Sequence, residues 1–114
     1  MKTIEEIEEI IEEINKLYIG ICQGKGEYVN SELATALPKI TKCMTELVQV
    51  VINIKKYGVD IPVEVLTQQM SNLLDGYDHM DYMQIADTLH YEITDSMRLY
   101  IEIIEELKKN NIEL

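Results

Sequence analysis

Apolar residues return along this chain every three or four positions, in four runs separated by glycine and proline. In the first run Ile4, Ile7, Ile11, Ile14, Tyr18 and Ile21 alternate spacings of three and four. That is a heptad seam, and Ile10 and Leu17 broaden it. Thr3 stands as its cap, with Glu6 placed to reach back to the cap residue, and Gly24-Lys25-Gly26 ends it. The second run keeps the same seam through Leu33, Leu37, Ile40, Met44, Leu47, Val51 and Ile54, with Val48 beside it. Pro38 falls inside without disturbing the register, which predicts a kink rather than a break. Lys55 and Lys56 suit a helix C-terminus, and Gly58 suits the left-handed residue beyond it.

The third run opens at Pro62 and carries Leu66, Met70, Leu73, Leu74 and Tyr77, with Gly76 and the Asp75/Asp78/His79 cluster as its stop. The fourth starts at Asp81, with Gln84 at capping-box distance. Its face is Ile85, Leu89, Ile93, Met97, Tyr100 or Ile101, Ile104 and Leu107. Lys108 and Lys109 complement its dipole, and Asn110 to Leu114 are expected to fray. No period-two alternation is sustained. The fold class is therefore all-α: one domain over 1–114, an up-down-up-down four-helix bundle with helices over about 3–23, 28–57, 62–76 and 81–109. Connections of about four residues make neighbouring helices antiparallel.

The third helix is about half as long as the fourth, so the stretch from Met97 to Leu107 overhangs it. Three outcomes follow. Helices one and two cover that stretch, the fourth helix bends at Thr94-Asp95-Ser96, or the stripe is a partner or dimer site.

Charge sharpens this picture. The chain has 21 acidic and 10 basic residues, a net of -11. Such a charge opposes binding to nucleic acid and to anionic membranes. Residues 1–15 hold six Glu and one Lys, 16–59 six Lys and three Glu, and 60–114 twelve acidic against three basic side chains. Antiparallel pairing sets Lys39 and Lys42 opposite Glu9 to Glu13, so the first helix is partly neutralised within the bundle. The C-terminal half keeps its excess. The early charges of Met1-Lys2-Thr3-Ile4-Glu5-Glu6 do not read as a secretory signal, and the most apolar stretch, Leu47 to Ile54, is too short to span a membrane. The expected location is the cytoplasm. Cys22 beside a turn and Cys43 deep in helix two lie roughly 20 Å apart along the axis, beyond disulfide reach, and read as two buried thiols.

Candidate chemistry is sparse. Asp87-x-x-His90 with Glu92 is one fragment of a helical metal site, but a bundle di-metal centre needs a second copy and inward carboxylates. Glu8-Glu9-x-x-Glu12 and Glu92-x-x-Asp95 place acids as in metal-dependent pyrophosphohydrolases, yet Ile7, Ile11 and Ile14 hold the inward positions. Neither cysteine has CxxC spacing, and no glycine-rich phosphate loop occurs. The expectation is a non-enzyme, without cofactor, metal or catalytic residue. A small metal-dependent hydrolase is the weakest alternative.

Met and Tyr concentrate in the C-terminal half, where Phe and Trp are absent. Met80, Met83, Met97, Tyr100, Ile101 and Ile104 are accordingly the candidate partner-binding residues, although Met and Tyr at helical spacing are more often plain core. Asp81, Asp87, Tyr91 and Glu92 form a candidate helix-docking motif: Asp81 caps, and Asp87 and Tyr91 share a face at a spacing of four.

The stretch from Asp81 to Ile93 resembles a segment, D-Y-x-x-x-A-D-x-L-x-Y-E-[IL], of short, largely uncharacterised helical proteins of low-GC Gram-positive bacteria. Asp81, Tyr82, Ala86, Asp87, Leu89, Tyr91 and Glu92 carry the match. A proline often follows the Tyr-Glu pair in that family; Asp95 and Ser96 stand there in this chain. Some of those proteins accompany motility genes. Size, acidity and layout more loosely resemble flagellar export chaperones, which bind an amphipathic end of a filament or cap subunit. The resemblance implies a chaperone-like module and transfers no catalytic residue. The partner is thus expected to be an apolar or basic amphipathic helix, or a second copy in a homodimer.

Overall fold

The structure, a computed structural model, describes residues 1–114 and is an all-α four-helix bundle. Helix α1 covers Ile4–Cys22, and the Thr3 hydroxyl caps it by accepting the Glu6 N–H at 3.2 Å. Glu6 does not reach the Thr3 backbone; its carboxylate accepts from the Thr3 hydroxyl instead. Ile7, Ile10, Ile14, Leu17 and Ile21 are buried, while Ile4, Ile11 and Tyr18 pack at the flanks. The seam is therefore turned from the expected line through Ile4, Ile11 and Tyr18, because α1 lies between α2 and α4 and points between them. The turn also leaves Cys22, expected to be buried, exposed.

A 3-10 turn over Gly26–Val29 leads into α2, Asn30–Ile54. All seven seam positions of α2 are buried. Pro38 sits inside the helix, and the Thr41 hydroxyl donates to the carbonyls of Leu37 and Pro38 at 3.0 and 3.2 Å. A second 3-10 turn, Lys55–Tyr57, ends at Gly58, whose φ of 87° is the left-handed stop that the sequence predicts.

Helix α3, Val63–Asp78, runs two residues past Gly76. Gly76 is not a stop. A Cβ there would lie 3.2 Å from side-chain atoms of both Gln84 and Ile85, so it marks the close approach of α3 to the next helix. The stop falls at Met80, with a φ of 51°.

Helix α4 occupies residues 82–109: α-helical over Tyr82–Asp87, π-helical over Thr88–Ile93 and α-helical again over Thr94–Lys109. Asp81 caps it, accepting the Gln84 N–H at 3.1 Å. The irregularity lies one turn before Thr94-Asp95-Ser96, where a bend is one of the three outcomes the length mismatch allows. Its cause is the spacing Ile85, Leu89, Ile93, Met97. Three steps of four carry a stripe about 120° around an ideal helix, and the one extra residue of a π turn takes back about 100°. The Thr94 hydroxyl satisfies the disturbed ladder by donating to the Leu89 carbonyl at 2.9 Å. Beyond Lys109 the chain folds back as a left-handed cap. Asn111 takes a φ of 53°, and the Ile112 N–H donates to the Leu107 carbonyl at 2.9 Å.

Side-chain pairs fix the topology. Lys39 meets Glu13 at 3.7 Å between α2 and α1, as expected, whereas Lys42 is exposed and outside any ion pair. The Lys2 N–H donates to the Tyr100 hydroxyl at 3.3 Å, and the Tyr18 ring stacks on His90 with centroids 4.1 Å apart, joining α1 to α4. Gln69 bonds Ser96, and Asn72 donates to Glu92 at 3.3 Å, joining α3 to α4. With Lys2 also 4.0 Å from Glu46 of α2, one number rises as the other falls in each helix pair, so the partners are antiparallel. The accessible surface of 6786 Å² lies close to the roughly 6,400 Å² that chain length implies for a compact fold.

Candidate functional site

Helix α3 has 16 residues, whereas α4 fills positions 82–109. The pairs Gln69–Ser96 and Asn72–Glu92 set Val63 level with about residue 101, so about eight residues of α4, about 12 Å, project beyond α3. The side of this projection that faces α2 is covered, with Ile104 1% and Leu107 6% exposed. The side in line with α3 is not, and a groove of about 550 Å³ opens there.

Its walls come from three directions. Ile54 and Tyr57 stand at the end of α2, Val59 and Ile61 lie on the connection to α3, and Leu99, Ile103 and Leu107 run along α4. Ile112 closes one end, held in place by the left-handed Asn111. Eight of the eleven lining residues are hydrophobic: Ile54, Ile103 and Leu107 form a buried floor, Ile61, Leu99 and Ile112 are half-buried, and Tyr57 and Val59 remain 49% and 44% exposed. Exposed apolar surface of this kind on the wall of a concave site is what helix-in-groove recognition uses. The charged lining residues are Glu102 and Glu106, one turn apart on α4, exposed and outside any ion pair.

The candidate partner-binding residues do not come together. Met97, Tyr100 and Ile104 are at most 1% exposed and belong to the core, so they face α1 and α2 rather than a partner. Burial, opposed by the bond from the Lys2 N–H, holds the Tyr100 phenol above its usual pKa. Ile101 is half-buried against the same core. Met80 and Met83 are exposed, but they sit at the start of α4, roughly 27 Å along the axis from Ile101. No single stripe can hold all six.

The candidate docking motif also divides. Asp81 caps α4, and Glu92 accepts from Asn72 of α3. Asp87 and Tyr91 are exposed and share no hydrogen bond; the π turn lies between them. Tyr91 instead sets its edge against His90, with centroids 4.5 Å apart. Sequence reasoning missed the contacts that hold the hairpin. Gln84 donates to the Asn72 carbonyl and the Asp75 carboxylate at 2.9 and 3.1 Å, and the Tyr82 hydroxyl donates to Asn30 of α2 at 2.9 Å. It also missed the groove wall, although Leu99, Ile103 and Leu107, each four apart, already formed a second stripe beside the seam.

Reactive side chains stand apart from the groove. Cys43 is fully buried with its sulfur 3.4 Å from that of Met97, and burial pushes its thiol up to about 12. His79 caps α3, and its Nδ1 lies 2.8 Å from the Asp75 carbonyl; that bond, with the Asp75 charge, raises its pKa. No group of three or more His, Cys, Asp or Glu side chains converges as metal ligands. No helix is long and apolar enough to cross a membrane. No protein-family model, curated protein or solved structure matches this chain.

Proposed function

We propose that this protein is a non-enzymatic, chaperone-like interaction module that holds an amphipathic helix of another protein in the groove beyond α3. One observation carries the reading: the bundle lacks a fourth wall over the last turns of α4, and the surface left open is apolar. A bound helix supplies that wall and removes the open surface from water, at about 25 cal/mol for each Å² of apolar area buried. The net charge of -11 favours a partner other than nucleic acid or an anionic membrane. The cytoplasm and a link to motility belong to the same proposal, and rest on the sequence and its resemblance.

Amide chemical-shift mapping with a stapled amphipathic helical peptide tests it. Shifts should concentrate at Tyr57, Val59, Leu99, Ile103 and Ile112 and vanish in Val59→Glu, a substitution at an exposed position. Shifts spread over Met80 and Met83 instead would sink the groove. Sedimentation at micromolar concentration tests the homodimer reading: a dimer that Val59→Glu dissociates would assign the groove to a second copy.

A further inference from the structure

We infer that the helix accepted by the groove carries two basic side chains one turn apart and runs antiparallel to α4, along the line that α3 would follow if it were longer. The inference rests on the reading of the groove as a helix site and adds the partner's charge and direction. Glu102 and Glu106 supply the first argument. Four positions apart, with Cβ atoms about 6 Å from one another, they stand on the same wall, and neither forms an ion pair with Arg98 or Lys109, the cations one turn away on α4. A helix whose apolar face fills the groove brings its own flank against that wall, and Lys or Arg at matching spacing pairs with both.

Direction follows from the topology. Helices α2 and α4 run the same way, so the outer end of the groove, where Ile112 folds back, lies where both C-termini concentrate partial negative charge. Lys55 and Lys56 beyond α2 and Lys108 and Lys109 in the last turn of α4 offset part of that charge, but none of them lines the groove, where the peptide carbonyls and the two glutamates remain. A helix entering with its N-terminus outermost sets its positive end there and its C-terminus toward Val63. A second copy of this chain is the poorer occupant. Two molecules at -11 each would approach, and a symmetric pairing sets the same two glutamates against each other.

The test uses the intact chain and labelled, helix-stapled peptides of about 14 residues with leucine at i, i+3, i+4 and i+7. Two flank positions four apart carry Lys, Gln or Glu. Fluorescence anisotropy should show the Lys peptide binding roughly 3- to 30-fold more tightly than the Gln peptide, the span expected of two exposed ion pairs. Glu102→Gln/Glu106→Gln should abolish that difference, and Glu102→Lys/Glu106→Lys should transfer the preference to the Glu peptide. A nitroxide on the peptide N-terminus should broaden the amides of Tyr57 and Asn110, and one on the C-terminus that of Val63. Equal binding of Lys and Gln peptides, with both lost in Val59→Glu, would overturn the charge inference and leave the groove reading standing. Reversed broadening would overturn the direction alone. Absence of binding by all three peptides to the folded chain would overturn the groove reading itself.

Discussion

The N–H of Asp81 donates to the carbonyl of Gly76 at 2.8 Å, a bond that spans the end of α3 and leaves Met80 between them in the left-handed region. The same reach recurs from Lys25 to Gly20 and from Ile112 to Leu107. Glycine occupies the left-handed residue only between Gly20 and Lys25, at Gly24; the others are Met80 and Asn111. A side chain with a Cβ costs roughly 1–2 kcal/mol in that conformation, and glycine recovers this less the entropy it loses on folding. Met80→Gly should therefore stabilise the protein by about 0.5–1 kcal/mol in urea titration. Met80 is 44% exposed, so little burial is lost. A destabilised variant would show that the Met80 side chain contributes more than its backbone costs.

Gly26 works by proximity rather than by φ. A Cβ on it would sit 2.8–2.9 Å from ring atoms of Tyr82, whose hydroxyl is held by Asn30. Gly26→Ala must displace an anchored ring, and a loss of about 1–3 kcal/mol is expected from overpacking and the broken bond. Pairing it with Tyr82→Leu should recover most of that loss in a double-mutant cycle.

The π turn predicts a tolerated deletion. Removing Tyr91, an exposed residue, takes out the extra position and lets residues 82–109 form an uninterrupted α-helix with Met97, Tyr100 and Ile104 still facing inward. The variant should unfold cooperatively, with a stability within about 1–2 kcal/mol of the parent. Removing Glu102 instead rotates the last turns by about 100° and should abolish the groove. Equal damage from both deletions would refute the register argument.

Thiol chemistry should separate the two cysteines. One equivalent, Cys22, should react promptly with a disulfide reagent, and Cys43 only on unfolding. Because burial lifts Cys43 to about 12 from an ordinary value of about 8.5, the folded chain keeps the proton that the unfolded chain releases. The contribution is fully present below about pH 8.5 and is lost as pH rises toward the folded value. Cys43→Ala should flatten that alkaline decline in a pH series of urea titrations.

Much of the fold was legible because periodicity reports which positions are apolar, and seven of the ten inward positions of α2 needed nothing more; Ala36, Cys43 and Val50 complete them. Periodicity does not report how many neighbours a helix has. Ile10 and Leu17 of α1 face inward because two helices flank α1, a fact of assembly rather than of local pattern. The π turn was written in three successive spacings of four, which a fixed 100° per residue misreads as a smooth face. The mismatch of α3 and α4 was legible too, but the face it exposes was not. Met97, Tyr100 and Ile104 looked open, and Leu99 and Ile103 prove to line the gap. At the chain end the cue was Ile112, five residues beyond Leu107, the reach of a left-handed cap.

The shortness of α3 also grades the molecule along its 45 Å axis. Near Gly76 and Ile85 four elements press together, and amides there should exchange with deuterium only when the whole domain opens. At the other end the last turns of α2 and α4 and residues 58–62 lack neighbours on one side, so their amides should exchange through local fraying. The groove thus occupies the soft pole of the bundle. A bound helix should therefore register as slowed exchange there, whether or not the backbone moves.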